Sequence, residues 1–164
     1  MTVKIVTDSG SDIEQAEAKK LGITVVPVYV RFGDEIYRDG VDIDSPEFYR
    51  KLATSSIHPS TAAPSPGDFA KVYEEAAQET EEIVSIHITS KHSAVCNAAL
   101  VAKDIAERKG CRIEVVDSKG VTMWQGLVVI AGRLSNVVNL HYYRQSGGLD
   151  STTNLETIGN GIHY

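Results

Sequence analysis

The sequence predicts an α/β protein built on an open, mainly parallel sheet with flanking helices. Short runs rich in β-branched residues alternate with longer runs in which apolar residues recur at helical spacing. Strands that alternate with helices in this way form parallel βαβ units. A chain of 164 residues has room for one ordinary domain. We assign that domain to residues 1–134 and expect an irregular tail at residues 135–164, where Gly and Asn interrupt any periodicity.

The first unit is a strand followed directly by a helix. Val3–Thr7 is a short apolar run that ends at Asp8 and predicts a buried strand. Ser11 and Glu14 stand in capping-box spacing, which predicts the start of a helix. Gly22 supplies the expected end of that helix, because glycine adopts the left-handed conformation that stops helices.

The next segment predicts extended structure and then a short helix. Ile23–Val30 is rich in β-branched residues and predicts a strand, and Arg31–Tyr37 predicts a hairpin-like excursion. Ser45 precedes Pro46, and we expect the serine to cap a helix that begins at the proline. The following segment, Thr54–Pro64, is dense in Ser, Thr and Pro and predicts an irregular loop.

Two more strand signals and three more helix signals complete the domain. Ser65 precedes a helix with one apolar stripe, and Ile83–Ile88 predicts a strand that leads to a helix opened by Ser93. Arg112–Val116 predicts a further strand. Val121–Leu134 is apolar almost all round, which predicts a helix that is buried on several sides.

Hydroxyl and carboxylate side chains follow several of these strands. Ligands of open α/β sheets bind beyond the carboxyl ends of the strands, so Asp8 and Ser9 are candidates for a site there. Thr61 and Ser93 lie just before predicted helices, where backbone N–H groups and the helix dipole favour a carboxylate or a phosphate. A plain capping role for each hydroxyl is the alternative.

Composition and motifs disfavour several classes of function. Sixteen basic residues against 22 acidic ones give a net charge of −6, which argues against nucleic acid or an anionic membrane as partner. We find no apolar run of the roughly 18 residues that a membrane-spanning helix needs, and no secretory signal pattern at the start. Cys96 and Cys111 have neither metal-type nor redox-type spacing, so we expect free thiols and a cytoplasmic location. The histidines show no metal-ligand spacing, and phosphate-binding glycine motifs are missing.

Four segments together resemble the DegV family of bacterial fatty-acid-binding proteins. They are Lys4–Ser9, Pro59–Ser65, Ile86–Ser90 running into Ser93, and Val115–Ser118. Their order and spacing, over residues 2 to 134, make the match more specific than each segment is alone.

The resemblance implies a binding protein without catalysis of its own. It implies a long-chain fatty acid such as palmitate, held between an N-terminal α/β domain and a C-terminal domain that this sequence lacks. The carboxylate would contact Thr61 and Ser93 and be presented to a separate kinase subunit, with no metal or redox cofactor. With no second domain to cover it, the apolar segment 121–134 predicts a homodimer.

Two other hypotheses remain open from the sequence. One is a small hydrolase or phosphatase that uses Asp8 or Ser93, since partners of a catalytic serine meet only in space. The other is a truncated remnant of a longer protein with little activity of its own.

Overall fold

The computed structural model describes residues 3–107 and 110–134, and the predicted tail at 135–164 lies outside them. Within the described residues the chain forms seven strands: β1 Lys4–Asp8, β2 Ile23–Val26, β3 Tyr29–Phe32, β4 Glu35–Arg38, β5 Ser60–Ala62, β6 Glu82–His87 and β7 Arg112–Asp117. Five α-helices accompany them: α1 Gln15–Leu21, α2 Ser45–Thr54, α3 Pro66–Ala76, α4 Val95–Glu107 and α5 Met123–Leu134. The α/β class predicted from the sequence is confirmed.

Four strands form a parallel sheet in the order β2-β1-β6-β7, as predicted. Helices α3 and α4 pack on one face, where Phe69, Tyr73 and Ala99 are fully buried. Helices α1 and α5 cover the other face, where Ala18 and Val129 pack against the sheet. Both faces of the sheet are therefore buried, which explains why its strands read as continuous apolar runs.

A second, antiparallel sheet has the order β4-β3-β5 and was not predicted as a separate unit. The prediction of one strand over Ile23–Val30 is wrong, because that segment contains β2 and β3, which belong to different sheets. Pro27 lies between them and has no N–H to donate to a ladder. The N–H of Val28 donates to Ser9 Oγ at 3.1 Å instead of to a strand.

The prediction of an irregular loop over Thr54–Pro64 is wrong in its middle. Residues 60–62 form β5 at the edge of the second sheet, where Thr61 pairs with Val30. A strand of three residues is too short to show a period of two, so the sequence pattern could not reveal it.

The helix predicted from Ser11 begins later, at Gln15. Ser9–Ser11 forms a 3-10 helix, and Asp12 follows with a φ of 54°, which interrupts the helical path. Ser11 is fully buried, and its Oγ has no hydrogen-bond partner in the described part of the chain. Gly22 ends the helix as predicted, with a φ of 66° and its N–H on the carbonyls of the last turn.

The two proline-initiated helices differ in their caps. In α2 the cap is Asp44, whose carboxylate accepts the N–H of Glu47 at 2.8 Å, so the prediction of Ser45 as the cap is wrong by one residue. In α3 the predicted Ser65 cap is confirmed, and Asp68 completes a reciprocal capping box with it.

Helix α5 is less buried than its composition predicts. Only Gln125, Gly126 and Val129 are buried, whereas Trp124 and Leu127 are 52% and 59% exposed. The prediction of burial on several sides is therefore wrong for the described part of the chain, and self-association through this face stays a prediction. No helix among the described residues has both the length and the hydropathy to cross a bilayer.

Candidate functional site

The main sheet has a switch point between β1 and β6. The chain leaves β1 toward β2 on one side, and after the second sheet it returns to β6 on the other side. Connections that diverge in this way open a crevice beyond the carboxyl ends of the two strands, which is the usual ligand position in such folds. Asp8 ends β1 and His87 ends β6, so both lie at this point.

Asp8 is completely buried, and its carboxylate accepts four hydrogen bonds. Gly10 N–H donates to Oδ1 at 3.0 Å. His87 Nδ1, Ile88 N–H and Gln125 Nε2 reach Oδ2 at 2.9, 3.1 and 3.0 Å. One carboxylate thus joins β1, the end of β6 and α5, and its buried charge is balanced by donors.

A chain of hydroxyls continues from the imidazole into the core. Tyr73 donates its hydroxyl hydrogen to Ser85 Oγ at 2.8 Å, and Ser85 Oγ lies 2.6 Å from His87 Nε2. The Ser85 oxygen accepts from Tyr73 and still carries a hydrogen that it can donate to Nε2, and Nδ1 of His87 faces the acceptor oxygen of Asp8. Burial raises the pKa of Tyr73 well above its usual value, so its hydroxyl stays a donor.

These contacts have the connectivity of a Ser-His-Asp triad but not its access. Ser85, His87 and Asp8 are all fully buried. A nucleophile must reach its substrate, and a sealed serine or carboxylate cannot do so. The geometry therefore disfavours the hydrolase or phosphatase hypothesis that uses Asp8. Among the described residues, no group of three or more carboxylate, imidazole or thiol side chains is placed to hold a metal ion.

Ser9 holds the connection between the two sheets. Its Oγ accepts the N–H of Val28, and the Val28 carbonyl in turn accepts the N–H of Asp39. Asp8 and Ser9, which the sequence predicts as candidates for a ligand site, are thus both engaged in internal hydrogen bonds.

Thr61 and Ser93, the first-rank candidates, lie on different elements. Thr61 is exposed on β5, and its hydroxyl has no hydrogen-bond partner among the described residues. Ser93 is half-buried two residues before the start of α4, and its Oγ accepts the N–H of Val95 at 3.3 Å, as in a serine turn. No hydrogen bond joins the two side chains within the described part, so their shared role stays a prediction.

Asp117, at the end of β7, holds the segment that leads to Ser93. Its Oδ2 accepts Ser90 Oγ at 2.6 Å and Ser90 N–H at 3.1 Å, and Lys119 binds it through both backbone and side chain. Partial burial alone would raise the pKa of Asp117, but the hydrogen bonds from Ser90 and Lys119 outweigh it and lower the pKa to about 2. The carboxylate is therefore ionised at every physiological pH.

We expect Asp117→Asn to lower the free energy of unfolding at neutral pH by about 2 kcal/mol, because a lowered pKa is stabilisation of the folded state. The side chain is only 12% exposed, so solvent screening is weak. The contribution is complete above the unfolded pKa of 3.8 and is lost as the pH falls toward 2. Urea unfolding at pH 6 and at pH 3 measures this contribution. The difference in the free energy of unfolding between wild type and variant should be smaller at pH 3 than at pH 6. Asp34→Asn, in the exposed β3–β4 turn, is the control, and an equal loss there would contradict the prediction.

Sequence reasoning missed Tyr73, Ser85, His87 and Gln125. One signal was present, because Ser85 and His87 stand two residues apart in an apolar strand and therefore share one face. Two polar residues on one face of a buried strand require partners, and that requirement could have pointed to a network.

In a comparison with known proteins, residues 2–134 match the family model described as an uncharacterised protein of the DegV family. A DegV domain-containing protein of Deinococcus radiodurans is 37% identical over 130 residues, which are 79% of this chain and 45% of that protein. A DegV domain-containing protein of Caldanaerobacter subterraneus is 38% identical over 128 residues, which are 78% and 45% of the two chains. This chain thus spans about half the length of these curated relatives.

Solved structures are similar over almost the whole chain. A DegV family protein of Thermus thermophilus, described by its fatty-acid binding, has 32% identity and a TM-score of 0.73, and covers 98% of this chain and 53% of its own. A stearic-acid-binding protein of Eubacterium ventriosum has 28% identity and a TM-score of 0.76, and covers 96% and 52%. DegV of Bacillus subtilis, at 22% identity and a TM-score of 0.77, shows the same fold.

Proposed function

Since the chain belongs to the DegV family, we propose that it binds a long-chain fatty acid, such as palmitate, and has no catalysis of its own. The observation that carries the proposal is the match to the Thermus thermophilus protein, which is described as fatty-acid-binding and has the same fold at 32% identity. The stearic-acid-binding protein of Eubacterium ventriosum supports the same ligand class.

We propose that Thr61 and Ser93 contact the carboxylate of the fatty acid. The Thr61 hydroxyl is exposed and has a hydrogen to donate, since no described residue accepts it. Ser93 lies before the thirteen-residue helix α4, whose amino end favours an anion. Its Oγ accepts from Val95, which leaves the hydroxyl hydrogen for the ligand. Two neutral donors hold an anion without a tight ion pair.

The finer part of the proposal is that a separate kinase subunit phosphorylates the bound carboxylate. An oxygen of the carboxylate would attack the terminal phosphorus of the nucleotide on the kinase, and the nucleoside diphosphate would leave. This chain would contribute position and exclusion of water, and the kinase would contribute the phosphoryl chemistry. Hydroxyl ligands suit this role, because they leave the carboxylate oxygen nucleophilic. The cytoplasm is the corresponding location.

The proposal is tested with the purified chain by native mass spectrometry, by organic extraction and by titration with palmitate. We expect a bound fatty acid, and we expect Thr61→Ala and Ser93→Ala each to weaken palmitate binding by about 10-fold to 100-fold, as loss of a hydrogen bond to a charged group does. Thr54→Ala is the matched control, because the Thr54 hydroxyl binds the carbonyl of Arg50 within α2. A lipid-free protein that takes up no palmitate would refute the proposal and favour an inactive remnant.

A further inference from the structure

We propose that Asp8 and His87 are positioning residues of the fatty-acid site, which fix the segment 88–94 and thereby the place of Ser93. The proposal rests on the proposed function for its ligand. Neither residue reaches the ligand, because both are completely buried. Their effect is on the backbone that leaves β6 and carries Ser93 to the start of α4.

The first contact of that segment is with Asp8. Ile88, the residue directly after β6, donates its N–H to Asp8 Oδ2 at 3.1 Å, and His87 donates to the same oxygen from the preceding position. Two successive residues are thus held by one carboxylate oxygen. The N–H of Ser93 then donates to the carbonyl of Thr89 at 3.2 Å. The buried carboxylate is therefore connected to Ser93 through Ile88, whose N–H it accepts, and through the turn that joins Thr89 to Ser93.

The imidazole is itself held from three directions. Its Nε2 faces Ser85 Oγ, which Tyr73 fixes from α3. The ring of Phe69 meets it edge to face, with centroids 4.9 Å apart and planes at 79°. The ring therefore cannot turn away from Asp8 without losing a hydrogen bond at each nitrogen. A rigid acceptor and a rigid donor at the end of adjacent strands fix the exit direction of the chain.

A buried polar group of this kind is not needed for stability alone, since apolar residues of similar volume commonly stabilise a core as well or better. What apolar side chains cannot do is accept hydrogen bonds from the Gly10 and Ile88 backbones and from the His87 ring on the two oxygens of one carboxyl group. The four donors on Asp8 come from three separate segments, so this carboxylate specifies how those segments meet at the switch point.

Thr61 is positioned by contacts that do not involve the segment 88–94. It lies on β5, which pairs with β3, and β3 follows the Val28 that Ser9 holds. The proposal therefore distinguishes the two ligand contacts: disturbing Asp8 should change what Ser93 contributes and leave the contribution of Thr61 as it is.

The first test uses no ligand. Hydrogen exchange is measured by mass spectrometry on wild type, Asp8→Asn and Ser85→Ala, and the second variant removes the partner of His87 Nε2 and of the Tyr73 hydroxyl while it keeps Asp8. Because Ser85→Ala also leaves the buried Tyr73 hydroxyl without its acceptor, exchange within α3 is followed separately. We expect amides of the segment 88–95 to exchange about fivefold faster or more in both variants, and those of 29–38 to be unchanged. Ser56→Ala, at an exposed loop residue, is the control. Unchanged exchange at 88–95, or a uniform increase over the whole chain, overturns the proposal.

The second test is a double-mutant cycle on palmitate affinity. Asp8→Asn alone should raise the Kd for palmitate about tenfold. In the Ser93→Ala background the same change should raise the Kd by less than about twofold, and in the Thr61→Ala background it should again raise it about tenfold. Equal effects in the two backgrounds would mean a general structural role and would also overturn the proposal. Failure of the wild type to bind palmitate would refute the proposed function, whereas the exchange measurement would still decide whether the pair fixes the segment.

Discussion

Phe69→Ala is expected to lower the free energy of unfolding by about 3–5 kcal/mol. Phe69 has no exposed surface and lies where α3 meets the sheet, with its ring 6.0 Å from that of Tyr73 and 4.9 Å from that of His87. Truncation would remove the buried apolar surface of the ring and leave a cavity beside two polar side chains. Urea unfolding followed by circular dichroism measures the loss.

The matched control for Phe69→Ala is Tyr49→Ala, which deletes an aromatic ring from α2. Tyr49 is 66% exposed, so its removal should cost about 1 kcal/mol or less. Both variants lose an aromatic ring from a helix, so the expected difference between their losses in the free energy of unfolding comes from burial. If the two losses were equal, the placement of α3 against the sheet would be wrong.

The fold was predictable from the sequence where one physical signal acted alone. Strands β1, β6 and β7 are short apolar runs bounded by turn residues, and α3 begins at a serine and a proline with a regular apolar stripe. Gly22 ends α1 because its φ of 66° favours glycine. In each case the local preference and the tertiary environment favour the same conformation.

The prediction failed where a residue outside the predicted element decides the local structure. Ser11 has the spacing of a capping box, yet Asp8 accepts the N–H of Gly10 and draws the chain into a 3-10 helix first. Val28 continues an apolar run, yet its N–H is taken by Ser9 nineteen residues earlier. The first contact is a local turn that competes with the capping box, and the second is not visible as a period or a propensity, because it depends on where β1 ends in space.

The position of Asp8 was predictable from the sequence, and its hydrogen-bond partners were not. Asp8 ends an apolar run that predicts a strand, and it does lie at the switch point, whereas a ligand site at this edge of the sheet stays a prediction. The internal partners of Asp8 were not indicated, because His87 and Gln125 come from elements that are 79 and 117 residues away in the chain. Sequence separation of this kind is bridged only by the fold.

Gly126→Ala should be among the most damaging small substitutions in the chain. A Cβ built on Gly126 would lie 2.5 Å from the backbone carbonyl oxygen of Ser11, a contact that no side-chain rotation can relieve. Helix α5 would have to move away from the 3-10 helix, which would also displace Gln125 from Asp8. We expect a loss of at least about 1–3 kcal/mol in the free energy of unfolding, the usual cost of overpacking.

Gly132→Ala, in the same helix, isolates this effect from helix propensity. A Cβ on Gly132 would meet Ile86 Cδ1 at 3.5 Å, which is an ordinary contact. Alanine favours the helix over glycine by up to about 1 kcal/mol, so this variant should be as stable as wild type or more stable. One chemical change in one helix is thus expected to have opposite signs at two positions, measured by urea unfolding of both variants. Stabilisation by both would show that α5 does not approach Ser11 closely, and the hydrogen bond from Gln125 to Asp8 would then lose its support.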